Sequence, residues 1–98
     1  MNSYIPIALI GLSHKTAPVE IRERVAFSET EQKESIKILK QTFDIEGCMI
    51  LSTCNRTELY ICGDESKHEL PRIRTWLDEY KRTNFFRNEE LTYIHTGE

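Results

Sequence analysis

Two short β-type segments joined by three residues constrain this chain more than any other feature. C-M-I-L-S-T at 48–53 and T-E-L-Y-I-C at 57–62 both read as strands, and only Cys54, Asn55 and Arg56 lie between them. A parallel pair needs a crossover of a dozen or more residues, so a link this short demands an antiparallel hairpin. Alternation along the second strand puts Leu59 and Ile61 on one face and Glu58 and Tyr60 on the other.

The remaining elements follow from periodicity and punctuation. I-P-I-A-L-I-G-L at 5–12 predicts a strand bounded by Gly11 and Ser13, with Pro6 tolerated near its start. Its continuous apolar run predicts a central strand buried on both faces. Residues 13–18 form a loop, and Pro18 suits the first turn of a helix in which Ile21 and Val25 lie one turn apart. Ser28 and Glu31 have capping-box spacing, and Ile36, Leu39 and Phe43 make one apolar face behind them. Asp44 to Gly47 then form the exit turn. A further helix is predicted from about Glu69 to Arg82, with Leu70, Ile73, Leu77 and Tyr80 as its stripe and Pro71 in its first turn. Residues 91–95 can make a fourth short strand.

This order predicts an α+β fold of the ferredoxin-like split β-α-β class, a four-stranded antiparallel sheet with helices packed on one face. Right-handed crossover adds a consequence. The loop after the first strand and the hairpin between the second and third should share one end of the sheet. Residues 13–16 and 53–56 are thus expected together, although about forty positions separate them.

With 98 residues the chain is read as one domain, 1–98, burying about 60–65% of its unfolded surface and leaving no room for a cofactor-binding domain. A charged fraction of 30% and a hydrophobic fraction of 39% suit a globular chain, and a net charge of −3 argues against a strongly basic nucleic-acid module. No stretch approaches the ~20 apolar residues of a membrane helix, and the stretch at 5–12 lacks the flanks of a signal peptide. Three cysteines without a C-x-x-C pair oppose a disulfide framework or zinc site and suit a reducing, cytoplasmic setting. The ending Thr96-Gly97-Glu98 has no closing element and reads as a fragment of something longer.

Cys54 is the candidate for chemistry. It lies in a polar loop beside Arg56, and a nearby guanidinium favours the reactive thiolate. Asn55 and the hydroxyls of Thr53 and Thr57 can donate to a substrate oxygen, and Arg56 can hold a carboxylate by two bonds. Residue types alone leave two readings of Cys54 open, nucleophile and structural loop cysteine. His14 is a second candidate, a base for Cys54 or simply the end of a strand. Cys48 and Cys62, inside apolar strands, read as small hydrophobes. His68 and His95 lack a partner constellation. The alternating charges of Glu20 to Arg24 read as a solvated helix face. Arg72, Arg74, Lys81, Arg82 and Arg87 can touch phosphates, but acidic residues are interspersed among them. Trp76 and Tyr80 read as core.

G-L-S-H-K-T-A-P-V-E-I-R-E at 11–23 and L-S-T-C-N-R-T-E-L-Y at 51–60 resemble the N-terminal catalytic domain of the glutamyl-tRNA reductases; R-V-A-F-S at 24–28 and the Y-I-H-T-G-E ending agree. The resemblance implies NADPH-dependent reduction of glutamyl-tRNA(Glu) to glutamate-1-semialdehyde, the first step of tetrapyrrole synthesis by the C5 route. It implies that Cys54 attacks the aminoacyl ester to give a thioester, with Thr53, Asn55 and Arg56 as substrate-binding residues. Arg56 then becomes the anchor of the glutamate side-chain carboxylate. The histidine that the family ties to activity lies beyond the Y-I-H-T-G-E segment, so His95 is not its counterpart. No G-x-G-x-x-G is present, so NADPH is expected to bind elsewhere in a full-length enzyme, which the resemblance gives as a homodimer through a further domain. No cofactor or metal is expected on these residues, and the chain alone is expected not to complete the reduction.

Two other readings compete. A non-enzymatic ferredoxin-like binding domain predicts an inert Cys54. An RNA-binding domain of RRM type shares the topology but needs sheet aromatics that neither T-E-L-Y-I-C nor I-A-L-I-G-L supplies.

Overall fold

A computed structural model describes residues 5–97. The chain runs β1 (Ile7–Ser13), α1 (Val19–Val25), α2 (Glu29–Thr42), β2 (Gly47–Ser52), β3 (Arg56–Cys62), α3 (Ser66–Lys81) and β4 (Tyr93–Gly97). The sheet order is β2-β3-β1-β4 with every pair antiparallel. This is the ferredoxin-like arrangement that the element order predicts. No helix among the described residues is long and apolar enough to cross a membrane.

Strand alternation separates two faces. Ala8, Ile10 and Leu12 of β1 line up with Ile61, Leu59 and Thr57 of β3. Together with Ile50 of β2 they meet Val25, Leu39, Leu70, Ile73 and Leu77 of the helices in the buried core. The opposite face carries Ile7, Leu9 and Gly11 of β1 beside Cys62, Tyr60 and Glu58 of β3. No helix among the described residues covers it, and Ile7 is 50% and Met49 54% exposed. The expectation of a first strand buried on both faces is therefore corrected. β1 is central, but the apolar run reflects one helix-covered face and one open face. Nor does Gly11 end the strand, which continues through Leu12 to Ser13.

The capping box forms as the spacing predicts. The Glu31 N–H donates to Ser28 Oγ at 3.1 Å and the Ser28 N–H to Glu31 Oε1 at 2.9 Å. The backbone bond from Ser28, ahead of an opposing burial effect and the help of Lys81, holds the Glu31 carboxyl below its ordinary range. Lys81 Nζ reaches Glu31 and the Ala26 carbonyl and lies 4.3 Å from the centre of the Phe27 ring. The α3 stem is thereby tied to the start of α2.

Helix α3 begins at Ser66 rather than near Glu69, so Pro71 sits inside it and not in its first turn. A proline there removes one ladder bond, the one its N–H would have made to the Lys67 carbonyl. Two local bonds and one tertiary bond hold the extra turn. The Ser66 N–H donates to the Gly63 carbonyl at 3.1 Å, and the buried Glu69 carboxylate accepts from the Asp44 N–H at 2.6 Å and Arg72 at 2.7 Å. Gly63, at φ +136°, makes the turn before the helix. Near the end of α3, buried Asp78 gathers the loop that follows the helix. It accepts from the Phe86 N–H at 2.8 Å, Thr83 Oγ1 at 2.9 Å, the Arg87 N–H at 3.1 Å and Arg87 Nε at 2.8 Å. The fourth strand runs two residues later than predicted, at Tyr93–Gly97.

Candidate active site

The β2–β3 hairpin closes through a tight turn. The Thr53 N–H donates to the Arg56 carbonyl at 2.8 Å, while Thr53 Oγ1 accepts from the N–H groups of Asn55 and Arg56, each at 3.2 Å. Cys54 stands exposed at the tip as a free thiol. A threonine hydroxyl folding back on the two following N–H groups explains this local shape, because it satisfies donors the turn would otherwise leave open.

The loop after β1 is pinned to that tip. The His14 N–H donates to the Asn55 carbonyl at 2.8 Å, and Ser13 pairs with Arg56 in the sheet register. Thr16 folds the loop back, accepting from the Ser13 N–H at 3.0 Å and donating to the Ser13 carbonyl at 3.2 Å. The forty-residue juxtaposition expected from topology is thus present as a backbone hydrogen bond. An open cavity of about 260 Å³ lies here, lined by Ser13, His14, Lys15, Thr16, Arg56 and Tyr93. Its rim carries the cations Arg56 and Lys15, which suits an anionic or carboxylate-bearing ligand.

Beneath Arg56 lies Glu58, only 5% exposed. Tyr93 Oη donates to its Oε2 at 2.5 Å and Tyr60 Oη to its Oε1 at 2.7 Å. Arg56 Nη1 stands 3.9 Å from Oε2. Burial alone would raise the Glu58 carboxyl; the two phenol bonds and the guanidinium outweigh it and hold the group below the ordinary carboxylate range. Burial, then the bond to Glu58, pushes the Tyr93 phenol well up, and the bond to Glu58 followed by burial raises that of Tyr60.

Residues 10–98 match the family described as glutamyl-tRNAGlu reductase, N-terminal domain. The chain belongs to this family. Among curated glutamyl-tRNA reductases it is 45% identical to that of Brevibacillus brevis over 94% of this chain and 20% of the relative. It is 37% identical to that of Heliobacterium mobile over 92% of this chain and again 20% of the relative. The chain thus spans about a fifth of the length of the curated relatives it matches. The solved glutamyl-tRNA reductase from Methanopyrus kandleri superposes with a TM-score of 0.64 at 21% identity, over 93% of this chain and 19% of that one. At that identity the superposition speaks to the fold.

Within this glutamyl-tRNA reductase domain, Asn55 and Arg56 meet the His14 loop at one end of the sheet, and Cys54 stands next to them at the tip of the turn. The hydroxyl oxygen of Thr53 is engaged by the turn, which leaves its own proton to meet a ligand. Thr57 departs from its sequence reading as a donor to substrate. It is buried on the helix side, 3.4 Å from Ser52 Oγ, because alternation turns it away from Arg56 and Glu58. The His14 ring is exposed, and no hydrogen bond joins it to Cys54 among the described residues. Cys48 faces the helices, where burial raises its thiol, and Cys62 faces the open side.

His68 is exposed beside Glu65, and His95 lies exposed against the Tyr93 ring at 5.8 Å. Most of the phosphate-candidate cations are engaged elsewhere. Arg72 meets Glu69, Arg74 holds the Phe86 carbonyl at 2.7 Å, Lys81 meets Glu31 and Arg87 meets Asp78. Trp76 and Tyr80, read as core, stack on each other at 5.0 Å and are half-buried at its margin. Sequence reading missed the role of Glu58, Tyr60, Tyr93 and Gly11 as a group. The available signal was a glycine inside an otherwise Ile- and Leu-rich strand, which marks close approach by another group.

Proposed function

We propose that this chain carries the acyl-transfer half of glutamyl-tRNA reduction, with Cys54 as nucleophile. The observation that carries the reading is the exposed Cys54 thiol on a turn stapled to the His14 loop, beside a cation-rimmed cavity, in a member of this family. The Cys54 sulfur attacks the ester carbonyl carbon of glutamyl-tRNA. The carbon–oxygen bond to the terminal ribose breaks, the ribose hydroxyl leaves with the thiol's proton, and a glutamyl thioester remains. Arg56 holds the side-chain carboxylate by its planar fork, while Thr53 and Asn55 offer donors to the substrate.

The reduction that follows needs a hydride, and NADPH is the donor in this proposal. The sheet offers no glycine-rich strand-to-helix turn for a dinucleotide pyrophosphate among the described residues. The step assigned to this chain is therefore the transfer alone. A cytoplasmic setting, a larger homodimeric enzyme and a role in tetrapyrrole synthesis complete the proposal.

The test is incubation with glutamyl-labelled tRNA, acid quenching and mass spectrometry of the peptide containing Cys54. Label on Cys54 that disappears in Cys54→Ser supports the reading. Undiminished acyl transfer in Cys54→Ser would sink it. With NADPH added, the chain alone should yield no semialdehyde; sustained turnover would overturn that part.

A further inference from the structure

Glu58 and Tyr93 belong to strands that do not touch. β1 lies between them, and Gly11 is the β1 residue opposite both. Two strand spacings separate their backbones by about 9.5 Å. They meet because Gly11 has no side chain: a Cβ there would lie 2.8 Å from Glu58 Cγ and from Tyr93 Cζ. Tyr93 thus reaches over Gly11 to one carboxylate oxygen, and Tyr60, two residues along β3, takes the other.

The consequence falls on Arg56. It shares a strand face with Glu58 and sits two residues away, and a guanidinium that hydrogen-bonds a carboxylate closes to about 2.7–2.9 Å. Here the nearest approach is 3.9 Å, and Arg56 stays 50% exposed on the cavity wall. Each oxygen of Glu58 already holds a phenol proton.

We propose that Tyr93 and Tyr60 are positioning residues that hold the Glu58 carboxylate over Gly11, away from Arg56, so that the guanidinium is left open to a ligand carboxylate. The phenols act through Glu58 and Arg56; Tyr93 also lines the cavity, so the test reads Arg56 without a ligand. Glu58 supplies a fixed negative charge beneath the guanidinium that orients it without consuming its donors. The functional meaning of this device rests on the reading of Arg56 as the substrate-carboxylate anchor; the device itself does not.

The experiment is the rate of Arg56 modification by p-hydroxyphenylglyoxal, an arginine-selective dicarbonyl, followed by peptide mass spectrometry on the 98-residue chain with the other arginines as internal references. In the double variant Tyr60→Phe/Tyr93→Phe, the released carboxylate should pair with Arg56 and slow its modification by about threefold, the effect of an exposed ion pair. Adding Glu58→Gln to that variant should restore the parent rate. A loosened structure would speed modification, so slowing followed by restoration is a signature that disruption does not produce. An unchanged or faster rate in the double variant overturns the proposal, as does slowing that survives Glu58→Gln. Glutarate serves as a carboxylate probe in a separate arm. If it fails to shield Arg56 in the parent chain, the anchor reading fails, while the reagent rates alone decide the clamp.

Discussion

Replacing Gly11 with alanine should be far more damaging than its single methyl suggests. The new Cβ would meet Glu58 Cγ and the Tyr93 ring at 2.8 Å, 0.6 Å inside the 3.4 Å at which ordinary contact begins. The two side chains flank it from opposite strands, so moving one cannot relieve the other. Overpacking costs about 1–3 kcal/mol. Breaking the Tyr93–Glu58 bond, in which the acceptor is charged, adds about 1.5–3 kcal/mol. Alanine's better fit to a strand returns about 0.5–1 kcal/mol. The balance lies near 3 kcal/mol, or a fall in Tm of about 12–24 °C for a domain of this size. Urea unfolding followed by circular dichroism measures it, and Tyr93→Phe in both backgrounds tests the mechanism. Removing the phenol should cost about 1.5–3 kcal/mol in the parent chain and close to nothing once Gly11→Ala has broken the bond. A Gly11→Ala chain within about 0.5 kcal/mol of the parent would refute the reasoning. So would a Tyr93→Phe cost that is the same in both backgrounds.

The same cluster sets a pH dependence. Glu58 is held below its unfolded value of about 4.3, so its contribution is fully present above that pH and is lost as pH falls through the lower native value. The raised phenols act in the opposite direction, stabilising below about pH 10 and losing that contribution as pH rises beyond it. Tyr93→Phe should flatten both flanks of a stability-against-pH curve, and an unaltered curve would count against the assignment. In the loop after α3, Asp78→Ala leaves the Phe86 N–H without its acceptor and should cost about 1–3 kcal/mol in chemical denaturation. It should also open residues 83–92 to proteolysis; resistance equal to the parent's would contradict the role given to Asp78.

How far the sequence could be read depended on the range of each interaction. The three-residue link between β2 and β3, the Ser28–Glu31 box and the helical stripes are local, and each was legible, although the link lies at 53–55, one residue earlier than its reading. The meeting of the His14 loop with the Cys54 turn was legible too, because topology determines which loops share an end. Contacts spanning several elements were not. Pro71 marked a helix start by local rules, yet the bond from the distant Asp44 N–H to Glu69 helps hold one more turn in place. The apolar run of β1 looked doubly buried because periodicity sees one strand at a time and cannot show which face the helices leave open. Glu58 was placed on the correct face, but its burial depends on a tyrosine two strands away and a glycine between them. Thr57 was grouped with its loop neighbours by proximity in sequence, although strand alternation assigns it to the core.

That alternation makes the candidate site a matter of parity. Arg56 and Glu58 face the open side because each is an even step from the other along β3, while Thr57 and Leu59 between and beyond them face the helices. One residue inserted after Cys54, with β3 kept in register to β1, would be absorbed by the turn. The same residue inserted between Arg56 and Glu58 would turn the guanidinium toward the core and bring a neighbour out in its place. The spacing along the chain from thiol to guanidinium is thus elastic, while that from the guanidinium to Glu58 is quantised in steps of two. Relatives that vary in length here should place their extra residues at the turn.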